Sequence, residues 1–133
     1  MTNSDFYIQD NSNIEETKLS AAKKHYTAER YSDALKLYLD IANTSASYKI
    51  YYEIGRCYYK MNELTKAKEY FKNSISLDQH KNPSYLFLGN IYYKTEQTDK
   101  AIENWIIAHS HKPDDEAVCL NLATSYFSKN MRF

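Results

Sequence analysis

Gly55 and Gly89 lie 34 residues apart, and their surroundings repeat with them. Tyr51, Ile54, Gly55 and Tyr58 match Tyr85, Leu88, Gly89 and Tyr92, and at the same offset Ala67 and Phe71 match Ala101 and Trp105. In a helical pattern, a period of this length restricts the chain to a stack of helical hairpins. One hairpin cannot bury its apolar face alone, so successive hairpins must pack on one another. Such stacks usually offer a surface to another chain, so the fold by itself does not point to an active site.

Composition agrees. The 133 residues suffice for one domain, and 43% are apolar, enough for a core without disulfides. Lys plus Arg and Asp plus Glu are both 17, so the net charge is zero. This argues against broad binding to nucleic acid or anionic membranes, which needs a basic excess. Gly and Pro number two each, which suits long helices and short turns. Cys57 and Cys119 have no paired spacing and read as small, buried, reduced side chains. The start of the chain lacks the basic and apolar regions of a signal peptide. No stretch approaches the roughly 20 apolar residues that span a bilayer. With Met1 as native start, the expected location is cytoplasmic.

Residues 1–13 are polar and acidic and are expected to form a flexible tail. Asn13 then caps a first helix with Glu16 three residues on, and that helix spans about Glu15 to Thr27. Further helices are expected over about Tyr31–Thr44, from after Ser47 to Lys60, over Leu64–Leu77, after an Asn82 cap with Pro83 in the first turn, over Thr98–His109, and over Asp115–Lys129. Asp114, Asp115 and Glu116 suit the positive N-terminal end of the last helix dipole.

Small residues recur at one site on each odd helix, namely Ala22, Gly55, Gly89 and Ala123. Ala34, Ala67 and Ala101 recur on the even helices. They let paired helices approach closely, and the large Tyr38, Phe71 and Trp105 are expected to fill the space between successive hairpins.

With these residues in place, the chain from about 15 to 133 resembles the tetratricopeptide repeat family. The resemblance implies an all-α, right-handed helical-hairpin solenoid of three repeats, about 15–47, 48–81 and 82–115, plus a final helix of about 115–129. The first repeat departs from the pattern, with Lys18, Ala22 and His25 where the others have Tyr, Gly and Tyr. The second has Ser74 where the family favours Ala and Gln79 where it favours Pro. The last helix reads either as a cap or as the start of a further hairpin in a longer protein, because Asn130 to Phe133 is similar to the turn Glu29-Arg30-Tyr31.

In this family the odd helices line a concave groove. The resemblance therefore selects Leu19, Lys23 and Tyr26 on the first helix, and Lys49, Tyr52, Arg56, Tyr59 and Lys60 on the third. It also selects Leu86, Asn90, Tyr93 and Lys94 on the fifth, with Leu120, Thr124 and Phe127 on the seventh. Spacings of three and four put each set on one helical face. Tyr26, Tyr59, Tyr93 and Phe127 form an aromatic row, flanked by Lys23, Lys49, Arg56, Lys60 and Lys94, with Glu16 the only acid. That pattern suits an extended or helical peptide with apolar anchors and acidic groups.

Family members that clamp the C-terminal carboxylate of heat-shock chaperones use Lys and then Asn on the first odd helix, Asn on the next, and Lys and Arg on the third. The matching positions here are Leu19, Lys23, Glu53, Pro83 and Phe87; none carries the required residue, and Glu53 repels a carboxylate. The acid-flanked triplet in Asp5-Phe6-Tyr7-Ile8-Gln9-Asp10 is itself a groove ligand of the expected kind, in its own or a neighbouring molecule.

Catalytic and cofactor signatures are missing from the pattern. His109 and His111 are two apart and lack acidic or thiol partners nearby in sequence, His25 replaces a packing tyrosine, and no Gly-rich phosphate loop or nucleophile–base pair stands out. The reading is a non-catalytic scaffold or adaptor without cofactor, binding a protein or peptide in the groove. Two alternatives are a self-associating structural segment of a longer protein and single-strand nucleic-acid binding on the Lys/Arg and Tyr face.

Overall fold

The computed structural model describes the backbone of residues 3–130 and the side chains of residues 12–130. Its helices are α1 (Asn3–Thr27), α2 (Tyr31–Thr44), α3 (Tyr48–Lys60), α4 (Leu64–Leu77), α5 (Ser84–Lys94), α6 (Thr98–His111) and α7 (Glu116–Asn130). No strand occurs among the described residues. The most extensive packing joins α1 to α2, α3 to α4 and α5 to α6, while α2·α3, α4·α5 and α6·α7 join one hairpin to the next. The chain is thus an all-α hairpin solenoid.

The three hairpin turns share one device. Glu29, Asn62 and Glu96 adopt left-handed conformations with φ of 62°, 61° and 63°. The residue after each closes back onto the helix: Arg30 N–H donates to His25 O at 2.8 Å, Glu63 to Tyr58 at 2.9 Å, and Gln97 to Tyr92 at 2.8 Å. These are Schellman closures built without glycine, where a side chain in the left-handed region costs about 1–2 kcal/mol.

Caps start the helices that the chain enters from extended loops. Ser47 Oγ accepts from Ile50 N–H at 3.3 Å at the head of α3. Asn82 Oδ1 accepts from Ser84 N–H at 2.9 Å at the head of α5, and Asp115 Oδ1 from Ala117 N–H at 3.0 Å at the head of α7. Asn13 does not act this way. It lies inside α1, where its carbonyl accepts from the Thr17 hydroxyl at 2.7 Å. The segment expected as a flexible tail is helical from Asn3, continuous with α1. Its polar composition hid this, because a short helix that continues an already nucleated one avoids the nucleation cost. Whether Phe6, Tyr7 and Ile8 reach a groove lies outside the described side chains.

The aromatic residues expected between hairpins pack first inside their own. A Cβ on Gly55 would stand 2.7 Å from Phe71 Cε1, and one on Gly89 2.3 Å from Trp105 Cδ1 and Nε1. Each glycine is therefore the seat for an aromatic ring of the following helix. Phe71 also reaches the next hairpin, stacking on Phe87 with ring centres 5.2 Å apart.

Ser74, where the pattern favours Ala, is a buried junction. Its hydroxyl donates to Tyr48 O at 2.6 Å and accepts from Asn82 Nδ2 at 3.0 Å, while Asn82 Nδ2 also donates to Asp78 O at 2.7 Å. This ties the end of α4 to the starts of α3 and α5. Of the two cysteines only Cys57 is buried, which pushes its thiol up to about 12; Cys119 is exposed, contrary to expectation, because among the described residues no helix covers its side of α7. Its sulfur lies 3.8 Å from His109 Nδ1, so that histidine does have a thiol neighbour.

Candidate groove on the odd helices

Two hollows open along the odd helices. The first, of about 640 Å³, lies between α1, α3 and α5 and includes Lys23, Tyr26, Glu53, Arg56, Lys60 and Phe87 in its lining. The second, of about 350 Å³, lies between α3, α5 and α7 and includes Tyr59, Asn90, Tyr93, Lys94, Leu120 and Thr124.

Cations in both hollows lie on aromatic faces. The Arg56 guanidinium sits 4.3 Å over the Tyr26 ring and 5.6 Å from that of Tyr52. Lys94 Nζ sits 4.7 Å over the Tyr59 ring. Each is held against the ring face by the ring quadrupole. Arg56 also pairs with Glu53 at 3.1 Å, both groups largely shielded from solvent. Burial raises the Glu53 carboxyl above the ordinary carboxylate range, and the Arg56 charge only partly opposes this. At Arg56 burial acts to lower the value, but Glu53, Tyr52 and Tyr26 together outweigh it and the net shift is upward. The guanidinium is therefore charged at any working pH. Burial also raises Tyr26, against the pull of Arg56, and lifts Tyr52 to about 12.

The second hollow is rich in donors. Trp105 Nε1 donates to Leu86 O at 3.2 Å and to Asn90 Oδ1 at 3.1 Å, and Asn121 Nδ2 donates to the same Asn90 oxygen at 3.4 Å. The oxygen is thereby occupied, and the Asn90 amide nitrogen remains a donor. Ser125 is buried along the same wall, its hydroxyl without a hydrogen-bond partner.

The residues selected from sequence divide into two groups. Lys23, Tyr26, Arg56 and Lys60 come together in the first hollow, and Tyr59, Asn90, Tyr93, Lys94, Leu120 and Thr124 in the second. Leu19, Tyr52 and Leu86 are instead half-buried against the core, Tyr52 with its ring between Phe71 and Phe87. Lys49 lines neither hollow and lies 6.0 Å from the ring of its neighbour Tyr48. Phe127 is 68% exposed and lines neither.

Phe87 is absent from the set selected by resemblance, yet it connects the two hollows. Its ring meets Tyr59 edge-on at 5.2 Å and Tyr52 at 5.8 Å, and it forms part of the first hollow. A signal for it exists in the sequence, since Glu53, Phe87 and Asn121 occupy one repeat position and all three line a hollow. The chaperone clamp draws attention to that position only as a carboxylate donor, a role that an apolar ring cannot fill.

Hairpins stacked with a lined face on the odd helices define a helical-repeat protein. The tetratricopeptide repeat family matches residues 48–81 and again 83–104. These two stretches are tetratricopeptide repeats. It is similar to the "BBSome complex member BBS4" of Bos taurus, 29% identical over 104 residues, which are 77% of this chain and 19% of that protein. The chain thus spans about a fifth of that relative's length. In fold it resembles the Yersinia enterocolitica type III secretion chaperone SycD, solved with a peptide of the translocator YopD, at TM-score 0.81 and 14% identity over 88% of this chain and 95% of that one. It also resembles the first repeat domain of Spaghetti (RPAP3), solved with the HSP90 peptide SRMEEVD, at TM-score 0.81 and 10% identity over 87% of this chain and 93% of that one. No described helix is long and apolar enough to cross a membrane.

Proposed function

We propose that this chain is a non-catalytic interaction module that takes a partner peptide along its odd helices. The observation that carries the reading is the pair of adjoining hollows with cations seated on aromatic faces, Arg56 over Tyr26 and Lys94 over Tyr59. The basic groups Lys23, Arg56, Lys60 and Lys94 orient an acidic ligand and speed encounter, while Tyr59, Phe87 and Tyr93 supply desolvated contact. Two fold neighbours hold peptides, which supports a peptide as the ligand class. The chaperone-terminus chemistry does not carry over, because Glu53 stands at a clamp position and is already paired with Arg56.

The test is a library of short peptides mixing acidic and aromatic residues, screened against the chain and against an Arg56→Glu, Tyr59→Ala variant of equal helicity. Peptides that bind the first and not the second sustain the reading. Peptides that bind both alike move the site off the odd helices.

A further inference from the structure

Where the second repeat has Arg56 and Phe71, the third has Asn90 and Trp105 at the matching positions. The exchange has a chemical consequence. An indole N–H only donates, so the amide of Asn90 must turn its oxygen toward Trp105, and the 3.1 Å bond between them fixes which end is which. Asn121 Nδ2 donates to the same oxygen from α7. The Asn90 amide nitrogen therefore points away from both donors, and it makes no hydrogen bond among the described residues.

The rest of the second hollow has donors without a matching acid. Lys94, one turn along α5 from Asn90, forms no ion pair among the described residues. Ser125, one turn along α7 from Asn121, is fully buried, and its hydroxyl has no partner. A buried hydroxyl left unpaired carries a desolvation cost, which a ligand oxygen that accepts from it would remove. The lining includes no Asp or Glu, whereas that of the first hollow includes Glu29 and Glu53.

We infer, resting on the peptide reading above, that the second hollow selects one acidic side chain of the partner peptide, its carboxylate accepting from Lys94 Nζ, Asn90 Nδ2 and Ser125 Oγ. Trp105 is a positioning residue: it does not touch the carboxylate, and it holds Asn90 with the amide nitrogen outward. The corresponding amide side chain fits poorly, because its NH2 group meets donors and it brings no charge to Lys94. The first hollow is not equivalent, since its Arg56 is already paired with Glu53.

The probes are N-acetylglutamate α-amide and N-acetylglutamine α-amide, titrated at millimolar concentration into the isotope-labelled chain. The two are nearly equal in size and differ in charge. The glutamate probe should shift the Asn90 side-chain amide and the Trp105 indole N–H saturably. It should bind about tenfold more tightly than the glutamine probe, as a charge-assisted hydrogen bond provides. Trp105→Phe, which keeps a ring of the kind that Gly55 already seats in Phe71, should leave the domain folded and reduce the preference for glutamate severalfold. Ser125→Ala should weaken the glutamate probe without lowering the melting temperature, because the hydroxyl it deletes has no partner in the fold. No saturation by the glutamate probe, equal binding of the two probes, shifts confined to Tyr26 and Arg56, or a preference that survives both substitutions would each overturn the inference. Failure here is distinct from failure of the peptide reading: acidic and aromatic peptides that still bind through Arg56 and Tyr59, while the two probes bind alike, would leave the groove in place and remove this assignment.

Discussion

The guanidinium of Arg56 lies 4.3 Å over the ring of Tyr26, joining two hairpins across the first hollow. The same group pairs with Glu53 at 3.1 Å, so one side chain both bridges repeats and neutralises a shielded acid. Arg56→Ala should destabilise the domain by about 2 kcal/mol, because Glu53 is left buried without its partner. Most of this should disappear in the Arg56→Ala, Glu53→Gln double variant. A denaturant double-mutant cycle should show a coupling of about 1–2 kcal/mol, and additive losses would sever the link between the two side chains.

Glu53 also sets a pH response. Its carboxyl is raised in the folded state, chiefly by burial, so the folded chain holds this proton more tightly than the unfolded chain does. The contribution is fully present below the unfolded value, about 4.3, and is lost as pH rises through the folded value. The melting temperature of the parent relative to Glu53→Gln should therefore fall as pH rises across that window and level off above it. At neutral pH Glu53→Gln should also bind acidic peptides more tightly, since one negative charge leaves the hollow.

Gly89 and Gly55 are seats for aromatic rings, and the first is the tighter of the two. Gly89→Ala places a Cβ 2.3 Å from the Trp105 indole, which is anchored by hydrogen bonds to Leu86 O and Asn90 Oδ1. The expected loss is about 1–3 kcal/mol by overpacking, despite the better helix propensity of alanine. Gly55→Ala meets Phe71 at 2.7 Å and should cost less. Urea unfolding of the two variants checks the order.

Asn82 ties three segments together with a side chain that is 1% exposed. Asn82→Ala removes the cap on Ser84 N–H and the bonds to Ser74 and Asp78, and should cost about 2 kcal/mol. Hydrogen exchange should rise first at the start of α5.

Glu96 has φ of 63° in the turn between α5 and α6. Glu96→Gly relieves a strain of about 1–2 kcal/mol and concedes about 0.5–1 kcal/mol of chain entropy, for a net gain of up to about 1.5 kcal/mol. A small rise in melting temperature is the expected readout.

Much of the fold is legible in the sequence, for a local reason. Helices and caps depend on neighbours three or four residues away, so the spacing of Ile54, Gly55 and Tyr58, or Asn82 ahead of Ser84, reads directly as hairpin face and helix start. The 34-residue echo then implies that hairpins stack, since each must cover the next. The division of labour within the groove face is not legible in this way. Leu19, Tyr52 and Leu86 share their helical faces with Arg56 and Asn90, yet depth in the stack turns them toward the core. Phe87 enters the groove through its contacts with Phe71 of the hairpin before and Tyr59 of α3. Residues from Asn3 onward join α1 although their composition suggests a tail, and Cys119 stays in solvent because α7 has no hairpin partner among the described residues. The sequence alone determined the period and the hairpins, which are set by backbone geometry and short-range spacing. Only the tertiary structure decided which side chains face the groove, because burial there depends on neighbours tens of residues away along the chain.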